Sequence, residues 1–276
     1  MKTKISLKQL DGYKSIFLLN GFTSPANYLF KYMQFERFIS SVKNKELIFV
    51  SPDTWKDPFE RRFYKTDYSS LGYSRPDIAC MCVTSKSSTN EEASWKMYIN
   101  PSDKALRLSI DFVELCKILE DFANKNDCKV YIGNVIYELK KDEITSLHKK
   151  ISSPIYSDFF PTPFSLENYL SLMLIKRVSF EFENEVRIFI AKNNPLPISN
   201  GLLRISNVNF SKELIHLVMI APYEPLPEDD IRTPFRKKIN TIESSEYKKI
   251  ISSLFGGKVN QSQLYSTTTC KPLLKV

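Results

Sequence analysis

Residues Ser179–Ala191 most constrain the fold of this chain, because charged and apolar side chains alternate along them with a period of two. One set of alternate positions consists of four charged residues followed by an aromatic one: Glu181, Glu183, Glu185, Arg187 and Phe189. The other set is in part apolar and carries Phe182, Val186, Ile188 and Ile190. We therefore predict one strand over Ser179–Ala191.

Two interpretations fit three carboxylates followed by a guanidinium on one side of a strand. In the first, these side chains form the solvated face of an antiparallel strand. In the second, Glu183 and Glu185 form a carboxylate pair at the mouth of a cleft, and Arg187 holds that pair in place. The alternation alone does not separate the two interpretations.

Composition indicates a globular chain with enough length for one large domain or two small ones, since 42% of its 276 residues are hydrophobic and 25% are charged. No stretch approaches the roughly 18 continuous apolar residues of a membrane span. The first residues lack the apolar core of a signal peptide, so we expect a cytoplasmic protein. Five cysteines without regular spacing fit reduced thiols, and Cys80 and Cys82 fit a core strand.

The net charge of +8 favours an anionic partner without identifying it. Lysine is spread along the chain and is not gathered into one arm. The chain contains two histidines, His148 and His216, which leaves little from which to build a Ser-His-Asp triad or a histidine-based zinc site.

The remaining patterns predict a mixed α+β fold with an antiparallel or split sheet and flanking helices. The predicted strands are Tyr28–Tyr32, Leu47–Val50, Ile78–Thr84, Leu106–Ile110, Val130–Tyr137 (one strand or a pair), Leu214–Ala221 and Val259–Tyr265. The predicted helices are Phe35–Lys45, Phe112–Lys125, Asp142–Lys150, Leu166–Arg177 and Glu243–Phe255. In the second of these helices, Val113 is among the side chains expected to face inwards.

Two segments rich in proline and aromatic residues are predicted to be ordered loops, Ser51–Glu60 and Pro154–Pro163. The first contains Trp55 and Phe59. Large aromatic side chains in a loop either pack on the core or stack on a planar ligand, and by itself this loop favours packing. Trp95 and Tyr98 lie three residues apart, which places them on one face of a helix.

Four features follow one another along the chain: Lys31-Tyr32, the Ser51–Glu60 loop, Trp95-x-x-Tyr98 and Glu183-x-Glu185-Val186-Arg187. This order resembles a bacterial family of domains of unknown function, with the motifs Leu-Tyr-Lys-Tyr, Ser-x-Pro-x-x-Phe-Asn-Asp-Pro-Phe-Glu, Trp-x-x-Tyr and Glu-x-Glu-Trp-Arg. The resemblance covers nearly the whole chain, since Val218–Pro222 is similar to the family's late strand. Departures from the motifs include Trp55, Lys56 and Val186.

The layout also resembles that of ADP-ribosyltransferases, in which an early strand, an aromatic NAD loop and a late-strand glutamate line one cleft. This resemblance implies one transferase-like domain with a split antiparallel sheet over residues 1–276, with 1–27 and 256–276 as peripheral terminal segments. It implies NAD as co-substrate and no metal. The implied catalytic residues are Glu185, Glu183, Lys31 and Tyr32, and the implied NAD-binding residues are Ser51, Trp55, Asp57, Phe59, Trp95, Tyr98 and Arg187.

In such a site Glu185 would bind a ribose hydroxyl and oppose the positive charge of an oxocarbenium-like sugar, and Glu183 would position the acceptor. Lys31 would meet the pyrophosphate, and Trp55 or Phe59 would stack on a ring. The resemblance implies a bacterial toxin or phage-defence effector with an antitoxin protein as a further partner. The basic charge favours a nucleic acid acceptor, RNA before DNA.

Three alternatives stay open. One is a transferase that modifies proteins. Another is a nucleic-acid or protein binding module without turnover on the same fold. The third is a nuclease that binds Mg²⁺ through Asp57, Glu60, Glu183 and Glu185, although these residues form no recognisable metal motif.

Overall fold

The computed structural model describes residues 6–25, 27–69, 72–85, 95, 105–139, 164–192, 195–221, 246–254 and 256–261. Within these residues the strands are β1 (Leu7–Gln9), β2 (Ile16–Leu19), β3 (Tyr28–Gln34), β4 (Leu47–Val50), β5 (Asp77–Thr84), β6 (Ala105–Asp111), β7 (Lys129–Asn134), β8 (Ile136–Leu139), β9 (Ile175–Arg177), β10 (Glu185–Lys192), β11 (Leu202–Ile205), β12 (Ile215–Ile220) and β13 (Lys258–Gln261). The helices are α1 (Phe35–Asn44), α2 (Pro58–Lys65), α3 (Phe112–Asn126) and α4 (Leu166–Leu172). Two 3₁₀ segments cover Pro52–Thr54 and Val178–Glu183, and residues 246–254 are helical.

The predicted α+β class is confirmed: one large sheet carries helices, with strand order β1-β2-β7-β10-β5-β3-β6-β12-β13, and β4 pairs with both β5 and β11. The sheet is mixed, whereas an antiparallel one was predicted. Strand β2 pairs with β7, and β12 with β13, in parallel. Both pairs join strands that are far apart in the chain, and such long connections allow parallel pairing. A separate parallel pair is formed by β8 and β9.

The large sheet divides at strand β5. One edge of β5 pairs with β10 along its whole length, from Glu185↔Thr84 to Lys192↔Asp77. The other edge pairs with β3 only at Phe30↔Thr84 and with β4 only at Val50↔Cys80. Strands β3 and β4 therefore leave the same edge of β5 in different directions, and we call this place the fork.

Apolar side chains form the core on both sides of β10. Val186, Ile188 and Ile190 project into the larger cluster, which includes the inner side chains of α1 and α3. Phe189 and Ala191 project into a second cluster on the opposite face. Successive side chains of a strand point to opposite faces, so β10 is buried between two layers.

Most predicted elements are confirmed within a residue or two, including α1, α3 and strands β3 to β7, with Val130–Tyr137 divided between β7 and β8. Helix α3 begins where the Asp111 side chain accepts a hydrogen bond from the Glu114 amide at 2.9 Å. Val113 is 53% exposed, so the expectation that it faces inwards was wrong. It lies next to the buried Phe112, beyond the edge of the apolar stripe.

The prediction of one strand over Ser179–Ala191 was wrong in its first half. Residues Val178–Glu183 form a 3₁₀ segment, and β10 begins only at Glu185. Asn184 separates them in the left-handed conformation, with φ 44°, which asparagine tolerates better than most residues. The alternation of charged side chains therefore crosses a break in the backbone.

Two further boundaries differ from prediction. The predicted helix Leu166–Arg177 ends at Leu172, and Ile175–Arg177 pairs with β8 as β9. A short apolar run does not distinguish a helix from a buried strand, which explains the error. The Ser51–Glu60 loop is irregular only in its middle, because Pro58 already begins α2.

The predicted helix Asp142–Lys150 and the predicted loop Pro154–Pro163 lie outside the described residues. The helices that the structure describes are all too short or too polar to cross a membrane.

Candidate functional site

Five ionisable side chains are buried together where β10 begins: Glu60, Lys176, Glu183, Glu185 and Arg187. We call them the charged cluster. Their exposed fractions range from 1% for Arg187 to 9% for Lys176. The interpretation of Glu183, Glu185 and Arg187 as a solvated strand face was therefore wrong. The carboxylate pair is present, but it is enclosed by protein.

Local structure brings these residues together from distant parts of the chain. Asp57 caps α2, accepting a hydrogen bond from the Phe59 amide at 2.8 Å, and Pro58 occupies the first turn. This start places Glu60 in the first turn, where its side chain is buried. The left-handed Asn184 turns the chain between Glu183 and Glu185.

Arg187 joins two of the carboxylates. Its Nε donates to Glu185 Oε1 at 3.0 Å and its Nη2 to Glu185 Oε2 at 3.1 Å. The same Nη2 donates to Glu60 Oε2, and Nη1 donates to the Met173 carbonyl. The Arg187 guanidinium also lies 4.4 Å from the centre of the Trp55 ring. This guanidinium is thus bound in its plane and covered on one face.

Lys176 contacts all three carboxylates. Its Nζ lies 2.6 Å from Glu183 Oε2, 3.1 Å from Glu185 Oε2 and 3.4 Å from Glu60 Oε1. Phe180 lies beside this ammonium, with its ring centre 4.9 Å from Nζ. Tyr137 supports the same position from β8, because its hydroxyl accepts a hydrogen bond from the Glu185 amide at 2.9 Å.

The cluster contains three carboxylates and two cations, and the pKa values of Glu183 and Glu185 are shifted in opposite directions. Burial opposes ionisation of Glu185, but Arg187 and Lys176 outweigh it and lower its pKa well below the usual range. Burial raises the pKa of Glu183, and the nearby carboxylates of Glu185 and Glu60 add to this shift despite the contact to Lys176. Two neighbouring glutamates are therefore held with opposite tendencies to ionise.

Lys31 and Tyr32 project from opposite faces of β3. Phe30 pairs with Thr84, and Thr84 with Glu185, so these three side chains share one face of the sheet. Tyr32 shares the face of Phe30, and Lys31 starts from the other face. Lys31 Nζ donates to the Cys82 carbonyl at 3.2 Å, and burial lowers the pKa of Lys31. The structure therefore brings Lys31 to the fork.

Tyr32 lies away from the charged cluster, against Trp95. The two rings meet edge to face with their centres 4.9 Å apart, and both residues are buried. Tyr98 lies outside the described residues.

The NAD-binding candidates of the Ser51–Glu60 loop make contacts within the protein. The Ser51 hydroxyl caps the 3₁₀ segment, accepting a hydrogen bond from the Asp53 amide at 3.3 Å. The Asp57 carboxylate accepts one from Arg177 at 2.7 Å. Phe59 packs edge to face on Phe63, and Trp55 covers Arg187. The loop is packed on the protein, as its composition favoured.

The carboxylates proposed for a Mg²⁺ site are divided in the structure. Asp57 pairs with Arg177, whereas Glu60, Glu183 and Glu185 converge on Lys176 and Arg187. Among the described residues no group of three or more histidine, cysteine, aspartate or glutamate side chains is arranged to hold a metal ion.

Sequence reasoning missed Lys176 and Tyr137 and treated Glu60 only as a metal ligand. Lys176 was hidden in a run that was predicted to be helical, and Glu60 sits where an acidic residue ordinarily caps a helix. A usable signal was the charge balance of Glu183-x-Glu185-x-Arg187. A buried pair of carboxylates next to one arginine requires a second cation from elsewhere in the chain.

The charged cluster presents the ionised carboxylate of Glu185 beside the carboxyl of Glu183, which can exchange a proton. This combination suits charge stabilisation and proton transfer.

Comparison of the chain with family models, with characterised proteins and with solved structures finds no match.

Proposed function

We propose that the protein is a NAD-dependent ADP-ribosyltransferase and that its reacting centre is the Glu183–Glu185 pair at the start of β10. One observation carries this proposal: Glu183 and Glu185, on either side of Asn184, are buried together beside two cations, and burial raises the pKa of Glu183 while Arg187 and Lys176 lower that of Glu185. Three carboxylates around two cations leave one carboxylate in excess, and buried groups with perturbed pKa values of this kind mark candidate functional sites.

The chemistry assigns a separate role to each glutamate. The bond between nicotinamide N1 and the anomeric carbon of the ribose breaks, and nicotinamide leaves with the bonding electrons. The sugar becomes oxocarbenium-like, and the ionised Glu185 opposes its positive charge. The acceptor then forms a bond to the anomeric carbon, and its proton passes to Glu183.

The layout of the strands supports the same proposal. Strand β3 with Lys31, strand β5 and strand β10 with Glu185 meet at the fork, where the sheet divides in two directions. The resemblance to ADP-ribosyltransferases implies a split sheet and one cleft lined by an early strand, an aromatic NAD loop and a late-strand glutamate. Lys31 Nζ lies at this division and offers a cation for the pyrophosphate.

The proposed acceptor is a nucleic acid, RNA before DNA, and the proposed biological role is that of a toxin or phage-defence effector. The net charge of +8 supports an anionic acceptor. We expect the affinity for a single-stranded oligonucleotide to fall steeply with added salt, because protein binding to the phosphates releases their counterions.

A second candidate is a binding module without turnover on the same fold. The specific observation in its favour is the enclosure of Glu185, which is 4% exposed and bound by both Arg187 and Lys176. A carboxylate in this position could serve only to anchor α2 and β9 to the sheet. Turnover of NAD distinguishes the two candidates.

The proposal is tested by measuring nicotinamide release from NAD by the wild-type chain and by Glu185→Gln. Glutamine keeps the shape of the side chain and removes the charge, so we expect at least a 100-fold loss, within the roughly 10² to 10³ that one electrostatic group contributes. Glu181→Gln is the matched control, because Glu181 is exposed and outside the cluster. Equal turnover by Glu185→Gln and the wild type would exclude Glu185, and no turnover by the wild type would favour the binding module.

A further inference from the structure

Lys176 is the cation of the charged cluster that contacts all three carboxylates. Its single cationic atom lies within 3.4 Å of an oxygen from each of them. Strand β9 carries it, and β9 is held in place by its parallel pairing with β8. The adjoining backbone is fixed as well, because the Ile136 amide donates to the Leu174 carbonyl at 2.7 Å.

The two cations divide the carboxylates unequally. Arg187 forms ion pairs with Glu60 and Glu185, and the ion pair of Glu183 is formed with Lys176. That contact, at 2.6 Å, is also the shortest that Lys176 makes. The ionised form of Glu183 therefore depends on Lys176, whereas Glu185 retains Arg187 if Lys176 is lost.

We propose that Lys176 is a positioning residue, which holds Glu183 in place and keeps it available as a carboxylate that receives the proton of the acceptor. This inference rests on the proposed function and extends it to a residue outside the Glu-x-Glu motif. Lys176 acts through Glu183 and is assigned no contact with NAD or with the acceptor.

The groups that face Glu183 determine the direction of the effect. They are Glu60 from α2, Tyr137 from β8, Lys176 from β9, and Glu185 on β10. Lys176 alone among these four is a cation, and it lowers the pKa of Glu183 against burial and the two carboxylates. Its removal therefore raises the pKa of Glu183 further.

The experiment compares Lys176→Met, Lys176→Arg and the control Lys192→Met. Lys192 lies at the other end of β10 and donates to the Asn126 carbonyl, away from the cluster. The first readout is the pH dependence of nicotinamide release. We expect the acidic limb of this profile to move upwards by about 1 to 3 pH units in Lys176→Met, as expected when a close opposite charge is lost. In Lys176→Arg and Lys192→Met the limb stays near that of the wild type.

The second readout does not require turnover. The side-chain carboxyl ¹³C signal of Glu183 is titrated by NMR in the wild type and in Lys176→Met. We expect Glu183 to titrate at a higher pH in Lys176→Met than in the wild type. If the wild type releases no nicotinamide, the proposed function fails, but this titration still tests whether Lys176 governs Glu183.

Two results would overturn the inference. One is a Glu183 signal that titrates at the same pH in the wild type and in Lys176→Met, or in Lys176→Gln if Lys176→Met does not fold. The other is an equal displacement of the acidic limb in Lys192→Met and Lys176→Met, which would show a general effect of removing a positive charge.

Discussion

The two faces of β10 are equally buried but are stabilised in different ways. Val186, Ile188 and Ile190 face the larger core and are fully buried. On the opposite face, Glu185 and Arg187 are 4% and 1% exposed. Burial of the apolar face stabilises the folded protein in proportion to the apolar area removed from water, by about 25 cal/mol per Å². The charged face gains little from area and depends on every charge having a partner.

This difference determines how each face responds to substitution. An apolar side chain can be replaced by another of similar volume with a small loss, because its contacts are many and weak. Removal of either cation of the charged cluster is expected to cost more, because it leaves buried carboxylates without compensation. The stability of the charged face therefore depends on the balance among all its members.

The largest expected effect comes from Arg187→Met. This substitution leaves Glu185 and Glu60 facing Lys176 alone, so we expect the free energy of unfolding to fall by about 3–5 kcal/mol. On the apolar face, Ile188→Val removes one methyl group and is expected to cost about 0.5–1.5 kcal/mol. Urea denaturation of the two variants at pH 7 measures both values.

The triple substitution Arg187→Met, Glu185→Gln and Glu60→Gln sharpens the same comparison. If unpaired charge is the source of the loss, neutralising the two carboxylates restores part of the stability. An equal or greater loss in the triple variant would show instead that the shape of the arginine, packed on Trp55, is what stabilises this face.

A smaller effect is expected in the pH dependence of stability. Burial raises the pKa of Glu183 from about 4.5 to about 7, so the folded protein binds more protons than the unfolded chain between these values. The contribution of Glu183 to the free energy of unfolding is therefore fully present below pH 4.5 and is lost as the pH rises towards 7. The free energy of unfolding falls by at most about 1.4 kcal/mol per pH unit in this range. Denaturation of the wild type and of Glu183→Gln across pH 4.5–8 measures it.

Glu183→Gln should lack this decline, since glutamine does not titrate. Glu185 acts in the opposite sense, because its pKa is lowered and its contribution is lost as the pH falls below 4.5. A wild type and a Glu183→Gln variant with parallel stability profiles would show that Glu183 titrates normally in the folded protein.

The smallest effect is expected for Trp55→Leu. The Trp55 ring covers the guanidinium of Arg187, and a contact of this kind contributes about 0.5–2 kcal/mol. Leucine retains apolar cover but not the interaction with the cation, so the melting temperature should fall slightly. The control is Phe59→Leu, because Phe59 packs on Phe63 outside the cluster. An equal fall in both variants would assign the effect of Trp55 to packing alone.

The sequence predicted most of the secondary structure, because period-two and helical patterns report which faces are buried. It placed α1, α3 and the central strands within a residue or two. It failed at Val178–Glu183, because a left-handed asparagine leaves no trace in the alternation of charges. It failed again at β9, where three residues are too few for a period.

Three members of the site could be chosen from sequence because they form one short motif, Glu183-x-Glu185-x-Arg187. The other two members could not be assigned to this motif. Lys176 and Glu60 reach the motif only through the positions of β9 and α2, which are set by contacts between distant parts of the chain. Tyr32 and Lys31 are neighbours in sequence but face opposite sides of the sheet, a separation that follows once β3 is known to be a strand.

The most direct test uses NAD that is radiolabelled in its ADP-ribose part and measures whether the label is transferred to a macromolecule. The wild type, Glu185→Gln and Glu181→Gln are each incubated with labelled NAD and a bacterial lysate, and the macromolecules are then treated with nuclease or with protease. We predict label in the wild type and Glu181→Gln samples that nuclease releases and protease does not, and none with Glu185→Gln. Intact NAD and unlabelled macromolecules in the wild-type sample would contradict the account, and label that only protease releases would contradict the nucleic acid acceptor.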